Sequence, residues 1–217
     1  LKLDPTGRTG TVIKSRGDLE TLLDGVFLDL APVTLDPGGP SLPPAAYLMD
    51  LLTRKNIAHE AFTGNFGADP LSTLAAVGKV IVPMESLLGR MADLAAHTAK
   101  TYPNAKALNI ATTVYHSAGC SEAQELAIAM ATAVEYLRHI TKAGVSIDDA
   151  CRQVAFTLTC DTDVFLTIAK LRAARRLWAR ISNVCGANIA APIHAVTAPR
   201  MMSRRDPWVN MLRGTAA

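Results

Sequence analysis

Apolar positions along this chain switch repeatedly between two rhythms. Leu126, Met130, Ala133, Leu137 and Ile140 recur at steps of four and three, the spacing that gathers side chains on one face of a helix. Ser121 and Gln124 precede that run at capping-box spacing, and Gly144 stands where it ends. Val164, Ile168, Leu171, Ala174, Trp178 and Ile181 form a second stripe, with Lys170, Arg172, Arg175, Arg176 and Arg180 expected off it. A further helix is expected over residues 84–101, before Pro103, and shorter ones begin at Asp18, at Ser41 ahead of Pro43 and Pro44, and at Asp69-Pro70. Short apolar runs at residues 26–30, 57–62, 107–114, 154–159 and 192–197 predict strands, and a truncated one is expected at residues 1–3. Strand and helix in alternation mean repeated βα units and a parallel sheet.

That rhythm fits an open doubly wound sheet and a (β/α) barrel equally well. No GxGxxG follows a strand and no GxxxxGK[ST] occurs, which removes the main support for dinucleotide and P-loop readings. With 217 residues, 49% hydrophobic and only 5% aromatic, the chain has material for one α/β core. The net charge of +3 is too mild for a nucleic-acid binder. No apolar stretch reaches membrane-spanning length, so no membrane is expected as partner and the expected location is cytoplasmic. Cys120, Cys151, Cys160 and Cys185 show no CxxC spacing and are expected as buried, reduced thiols.

Candidate chemistry is sparse. Tyr115 and His116 follow the third expected strand, where barrel enzymes place catalytic groups, yet no carboxylate stands at a telling spacing. Arg172, Arg175, Arg176 and Arg180 would share a helix surface able to bind an anion, although such runs are usually solvated faces. Arg200, Arg204, Arg205 and Asp206, in a loop-like stretch before Pro207, suit either an anion clamp or a subunit contact. His194, inside an expected strand, reads as a hydrogen-bonded core residue in preference to a metal ligand. Asp161 and Asp163 read as caps of the following helix in preference to a catalytic pair.

Three segments carry a resemblance: Ile168-Ala169-Lys170-Leu171-Arg172-Ala173-Ala174-Arg175-Arg176-Leu177-Trp178, Ala118-Gly119 through Gln124-Glu125-Leu126-Ala127, and Arg205-Asp206-Pro207-Trp208-Val209-Asn210-Met211-Leu212-Arg213. Together they resemble the barrel of methylmalonyl-CoA mutases. The resemblance implies a (β/α)8 TIM-type barrel, incomplete here with about six βα units, over residues 1–217. In that family a catalytic large subunit isomerises methylmalonyl-CoA to succinyl-CoA with adenosylcobalamin, and some bacteria pair it with a related small subunit lacking the active site. The family's cobalamin domain signature, DxHxxG, is absent from this sequence.

Laid over the family's catalytic pattern, the positions of its Tyr-His pair fall on Thr113 and Val114, leaving Tyr115-His116 two residues out of register. The position of a substrate-contacting glutamine falls on Gly67, and that of a carboxylate-gripping arginine on Val77. Val196 stands for the glutamine of the His-x-Gln-Thr-Ser-Gly stretch, and Gln153 and Ala155 for coenzyme-A contacts. The resemblance therefore implies a catalytically silent small subunit that binds no cofactor itself and stabilises a large subunit in a heterodimer. An active acyl-CoA mutase barrel with altered contacts is the alternative. Self-association through open strand edges is also expected.

Overall fold

Strands that add one beside the last, without reversal, build the wall of a barrel, whereas a doubly wound sheet reverses its order at a switch point. The structure, a computed structural model, describes residues 11–217. Within it β1 (Val33–Thr34), β2 (Gly64–Ala68), β3 (Ala105–Ala111), β4 (Val154–Cys160) and β5 (Ile193–Thr197) lie in chain order, every adjacent pair parallel. The architecture is α/β, a five-stranded half-barrel, and the order decides what periodicity left open. The strand expected at residues 1–3 lies outside the described residues.

The helices are α1 (Arg16–Leu22), α2 (Leu42–Arg54), α3 (Pro70–Val77), α4 (Met84–Thr101), α5 (Thr113–Ser117), α6 (Glu122–Lys142), α7 (Ile147–Arg152), α8 (Val164–Val184) and α9 (Pro207–Ala216). Their starts follow local chemistry. Ser121 and Gln124 form the reciprocal capping box of α6, and Asp69 caps α3 with Pro70 in its first turn. At α1 the cap is Ser15, with Asp18 bonding back from the third helical position. Consecutive helices pack as neighbours, α4 on α6 and α6 on α8. Between helices and sheet the core closes with Phe156 edge-on to Trp178, centroids 5.4 Å apart, while the Trp178 indole N–H donates to the Ile189 carbonyl at 2.8 Å.

Several expectations are corrected. Residues 26–30 form no strand: the N–H groups of Leu30 and Ala31 both donate to the Phe27 carbonyl, curling the segment into a turn, and β1 comes later. Residues 57–62 turn as well, after Asn56 in a left-handed conformation, and β2 starts only at Gly64. The third strand stops at Ala111, because Thr112 takes a helical backbone conformation and its carbonyl accepts from the Tyr115 and His116 N–H groups, turning the chain into α5. On α8 the buried stripe is Thr167, Lys170, Ala174, Trp178 and Ser182, so Lys170 is inside while Val164 and Ile168 are exposed. Helices α7 and α9 were not anticipated.

At β2 the backbone of the preceding segment passes very close. Gly67 has φ of +73°, and a Cβ there would stand 2.0 Å from the Leu35 carbonyl oxygen. The position excludes every side chain on both conformational and steric grounds. Gly67→Ala is expected to cost more than about 2 kcal/mol, measured by urea unfolding; a loss below a few tenths of that would contradict the close packing of β2 against residues 35–37.

Candidate functional site

The carboxyl ends of the strands, where barrel proteins carry their chemistry, hold a polar network of three neighbouring groups. Asp69 follows β2 and is buried. Its Oδ2 accepts from the Ala111 N–H at the end of β3 (2.8 Å), and its Oδ1 accepts from the Tyr136 hydroxyl of α6 (2.5 Å) and from the Ser72 N–H (3.2 Å). Burial pushes the Asp69 carboxyl above its ordinary range, against the pull of those bonds. Burial, with the charge of Asp69 beside it, also raises Tyr136 far above an ordinary phenol.

One strand further on, Glu125 of α6 and Lys170 of α8 form an ion pair at 2.7 Å, both side chains wholly inaccessible. The Thr112 hydroxyl lies 2.5 Å from Glu125 Oε1, and the same oxygen accepts from the Thr159 N–H at 3.0 Å. The Thr159 hydroxyl lies 2.8 Å from Oε2 and takes a bond from Lys170 Nζ at 3.1 Å. Burial works to raise the Glu125 carboxyl, and the bonds from Lys170, Thr112 and Thr159 outweigh it, leaving it below its ordinary range.

The third group surrounds His116 in α5, which is also fully buried. Arg200, in the 3₁₀ turn after β5 (Pro199–Met201), places Nη2 at 2.9 Å from His116 Nε2 and 3.1 Å from Asp161 Oδ2, and its Nη1 donates to the carbonyls of His116 and Cys120. A guanidinium only donates. His116 Nε2 must therefore accept, which puts the ring proton on Nδ1, and that buried nitrogen has no partner among the described residues. The ring is held neutral: burial lowers its pKa, Glu125 opposes this, and Arg200 and Lys170 lower it further. Asp161 is pushed up by burial but lies below its ordinary range, through bonds from Thr162 N–H and Arg200.

The family model for methylmalonyl-CoA mutase matches residues 3–217. The chain belongs to the methylmalonyl-CoA mutase family. It is 46% identical over 201 residues to the methylmalonyl-CoA mutase small subunit of Streptomyces virginiae, covering 92% of this chain and 32% of that protein. To the small subunit of Propionibacterium freudenreichii subsp. shermanii it is 34% identical over 202 residues, covering 92% and 31%. To the methylmalonyl-CoA mutase of Escherichia coli K12 it is 27% identical over 213 residues, covering 96% and 30%. The chain thus spans about a third of the length of these relatives.

Against the mutase pattern, Gly67, Thr113, Val114 and Val196 sit at or just past the carboxyl ends of β2, β3 and β5, whereas Val77 lies exposed at the far end of α3. Gln153 and Ala155 fall at the opposite end of the sheet, where β4 begins; Gln153 is buried and accepts from Ala107 N–H at 3.1 Å. Of the residues singled out by sequence, His116, Asp161 and Arg200 are brought together. Asp161 is therefore not a simple helix cap, while Asp163 is one, accepting from Leu166 N–H, and Asp206 caps α9. Tyr115 is half-buried beside Ser72 and Asp69. Arg172, Arg175, Arg176, Arg180, Arg204 and Arg205 are exposed and apart from the network, and His194 is an exposed edge-strand residue and not a core one. Cys151 and Cys160 are buried and Cys120 partly so, but Cys185 is exposed; all four are free. No group of three metal-ligating side chains occurs among the described residues.

Glu125, Lys170, Thr112, Thr159 and Tyr136 escaped the sequence reading. Lys170 carried a usable signal: it precedes Ala174 and Trp178 by four and eight residues, on the same helix face. Removing its ammonium by Lys170→Met strands a buried carboxylate and is expected to cost about 3–5 kcal/mol, with Glu125→Leu in the same chain recovering most of it. Equal losses in the single and double variants, followed by urea unfolding, would contradict the pairing.

For His116 the native ring binds its proton less readily than the unfolded chain does. Its contribution to stability is complete above the ordinary histidine pKa of 6.5 and is lost as pH falls below it, toward the lowered native value. His116→Gln should flatten stability against pH between about 7 and 5. An unaltered slope in unfolding curves across that range would contradict the assignment.

Proposed function

We propose that this chain is part of the small subunit of a methylmalonyl-CoA mutase, catalytically silent itself, which stabilises a large catalytic subunit in a heterodimer. The observation that carries the reading is Gly67. The mutase pattern asks for a substrate-contacting glutamine there, and this backbone leaves no space even for a Cβ. The relatives named small subunits, at 34% to 46% identity, support the same choice over those named simply methylmalonyl-CoA mutase, at 27% to 28%.

The strand-tip network supports it in a second way. Its carboxylates, hydroxyls and ammonium are bonded to one another, and a carboxylate substrate brought among them would find no free cation among the described residues, at a cost of several kcal/mol. The same residues do not fit a corrinoid. The only ring nitrogen of the cluster with a lone pair, His116 Nε2, is held by Arg200, and the imidazole is buried. In this proposal adenosylcobalamin belongs to the large subunit.

No helix among the described residues is long and apolar enough to cross a membrane; a cytoplasmic site of action is part of this proposal. The open β5 edge also leaves room for self-association of the isolated chain. A second reading, an active acyl-CoA mutase barrel with altered contacts, draws on the His116, Asp161 and Arg200 group at the strand ends, where the buried Nδ1–H finds no acceptor among the described residues.

Co-purification of the full-length polypeptide with its large subunit decides between them. The complex is expected to turn over methylmalonyl-CoA with adenosylcobalamin, and the small subunit alone to show no turnover. Turnover by the small subunit alone would establish the second reading.

A further inference from the structure

The side-chain hydrogen bonds that fasten the turn after β5 to α5, among the described residues, all come from Arg200. Its Nη1 donates to the carbonyls of His116 (3.2 Å) and Cys120 (3.1 Å), and its Nη2 reaches His116 Nε2 (2.9 Å) and Asp161 Oδ2 (3.1 Å). The backbone bonds of the turn are local, Met201 N–H to the Ala198 carbonyl and Met202 N–H to that of Pro199, apart from Ala198 N–H to the Cys160 carbonyl. Helix α9 is carried by the same turn: the Asn210 side chain bonds both the N–H and the carbonyl of Ser203, Arg213 donates to the Met201 carbonyl, and no residue of α9 is buried.

The contact at Nε2 depends on a proton. A guanidinium only donates, so the 2.9 Å approach requires a lone pair on the ring and exists only while the imidazole is neutral. A proton on Nε2 would set one N–H against another and one cation against another. Acceptors nearby are shared: Nε2 lies 3.6 Å from Asp161 Oδ2 and 3.9 Å from Glu122 Oε1, and Arg200 Nη2 lies 3.1 and 3.9 Å from the same two oxygens. Imidazolium and guanidinium therefore compete for one pair of carboxylates. His116 is fully buried, whereas the Arg200 side chain is 35% exposed, so water is within reach of the guanidinium alone and it is Arg200 that gives way.

The other ionisable groups around the ring do not settle that competition. Glu125 of α6 and Lys170 of α8 act on it in opposite directions and are bound to each other at 2.7 Å. Burial raises the thiols of Cys120 and Cys160 and the phenol of Tyr115, leaving all three neutral where a histidine titrates.

We propose that His116 is a proton-operated latch on the turn after β5: neutral, it accepts from Arg200 and holds the turn against α5; protonated on Nε2 by solvent, it takes Asp161 for itself and Arg200 swings out, loosening residues 198–203. Burial disfavours the charged ring, so the latch is closed at neutral pH and opens as pH falls below the ordinary histidine value of 6.5. The latch is independent of whether the chain turns over a substrate.

Amide hydrogen exchange of the full-length polypeptide, read by mass spectrometry and corrected for the intrinsic pH dependence of exchange, tests it on peptides containing Ala198, Met201, Met202 and Ser203. Their protection is expected to fall roughly tenfold or more between about pH 7.5 and about pH 5, as hydrogen bonds to a charged group are lost, while peptides from β4 keep theirs. His116→Gln, which does not titrate, should abolish the fall, and Arg200→Ala should show the lowered protection already at about pH 7.5 with little further change. Wild-type protection that stays constant across the range overturns the proposal, and so does an equal fall in folded His116→Gln. If His116→Gln does not fold, Arg200→Ala decides, because a full pH-dependent fall persisting in that variant overturns the latch and its absence supports it.

Discussion

A lysine ammonium and a glutamate carboxylate, both wholly removed from water, hold the ends of β3 and β4 to α6 and α8. Such a pair is tolerable only when every remaining lone pair and proton finds a partner. Here two threonines supply them: Thr112 from the end of β3 and Thr159 from β4, the latter with its N–H as well as its hydroxyl. Eleven residues along α6, on the same side after three turns, Tyr136 makes the equivalent tie to Asp69 and, through it, to the ends of β2 and β3. Helix α6 thus carries two buried polar struts, each spanning a pair of neighbouring strand ends. Neither strut tolerates the loss of one member, because what is left behind is an unpaired group in a dry site.

This constraint shapes what the barrel mouth can do. In an enzyme of this architecture polar groups at strand ends face a substrate; here they face one another. Arg200 completes the pattern by folding the turn after β5 onto His116, Asp161 and the carbonyl of Cys120. Gly67 adds a steric bar at β2, imposed by the close passage of the Leu35 backbone. Membership in the mutase family and strand ends bonded to one another are thus compatible.

Much of this was legible in the sequence. The long helices α6 and α8 announced themselves by apolar spacing and caps, and α4 by the proline that follows its end, because burial of one face imposes a period of 3.6 and capping residues are locally determined. β4, all seven residues buried, read as a short, mostly apolar run with Thr157 and Thr159 inside it. β1 and β2 did not: a two-residue strand has no alternation to detect, and Gly64-Asn65-Phe66-Gly67-Ala68 owes its extended pairing to backbone proximity that only glycine permits. The polar struts were hidden for a related reason. Their members, separated by 11 to 67 residues in sequence, are chosen by the sheet register, and the expectation that Lys170 belonged with its basic neighbours outweighed its position on the inner stripe. The family resemblance found the family but pointed to positions, not to the bonds that occupy the space between them.

The account stands on the strand ends being closed to a charged thioester. Crystals of the full-length polypeptide in complex with its large subunit, soaked with methylmalonyl-CoA, test this directly. The thioester should be found in the large subunit alone, with Thr112, Glu125, Thr159 and Lys170 of this chain still bonded to one another. A second thioester gripped at the small subunit's strand ends, by side chains around Gly67, Thr113, Val114 and Val196, would contradict it.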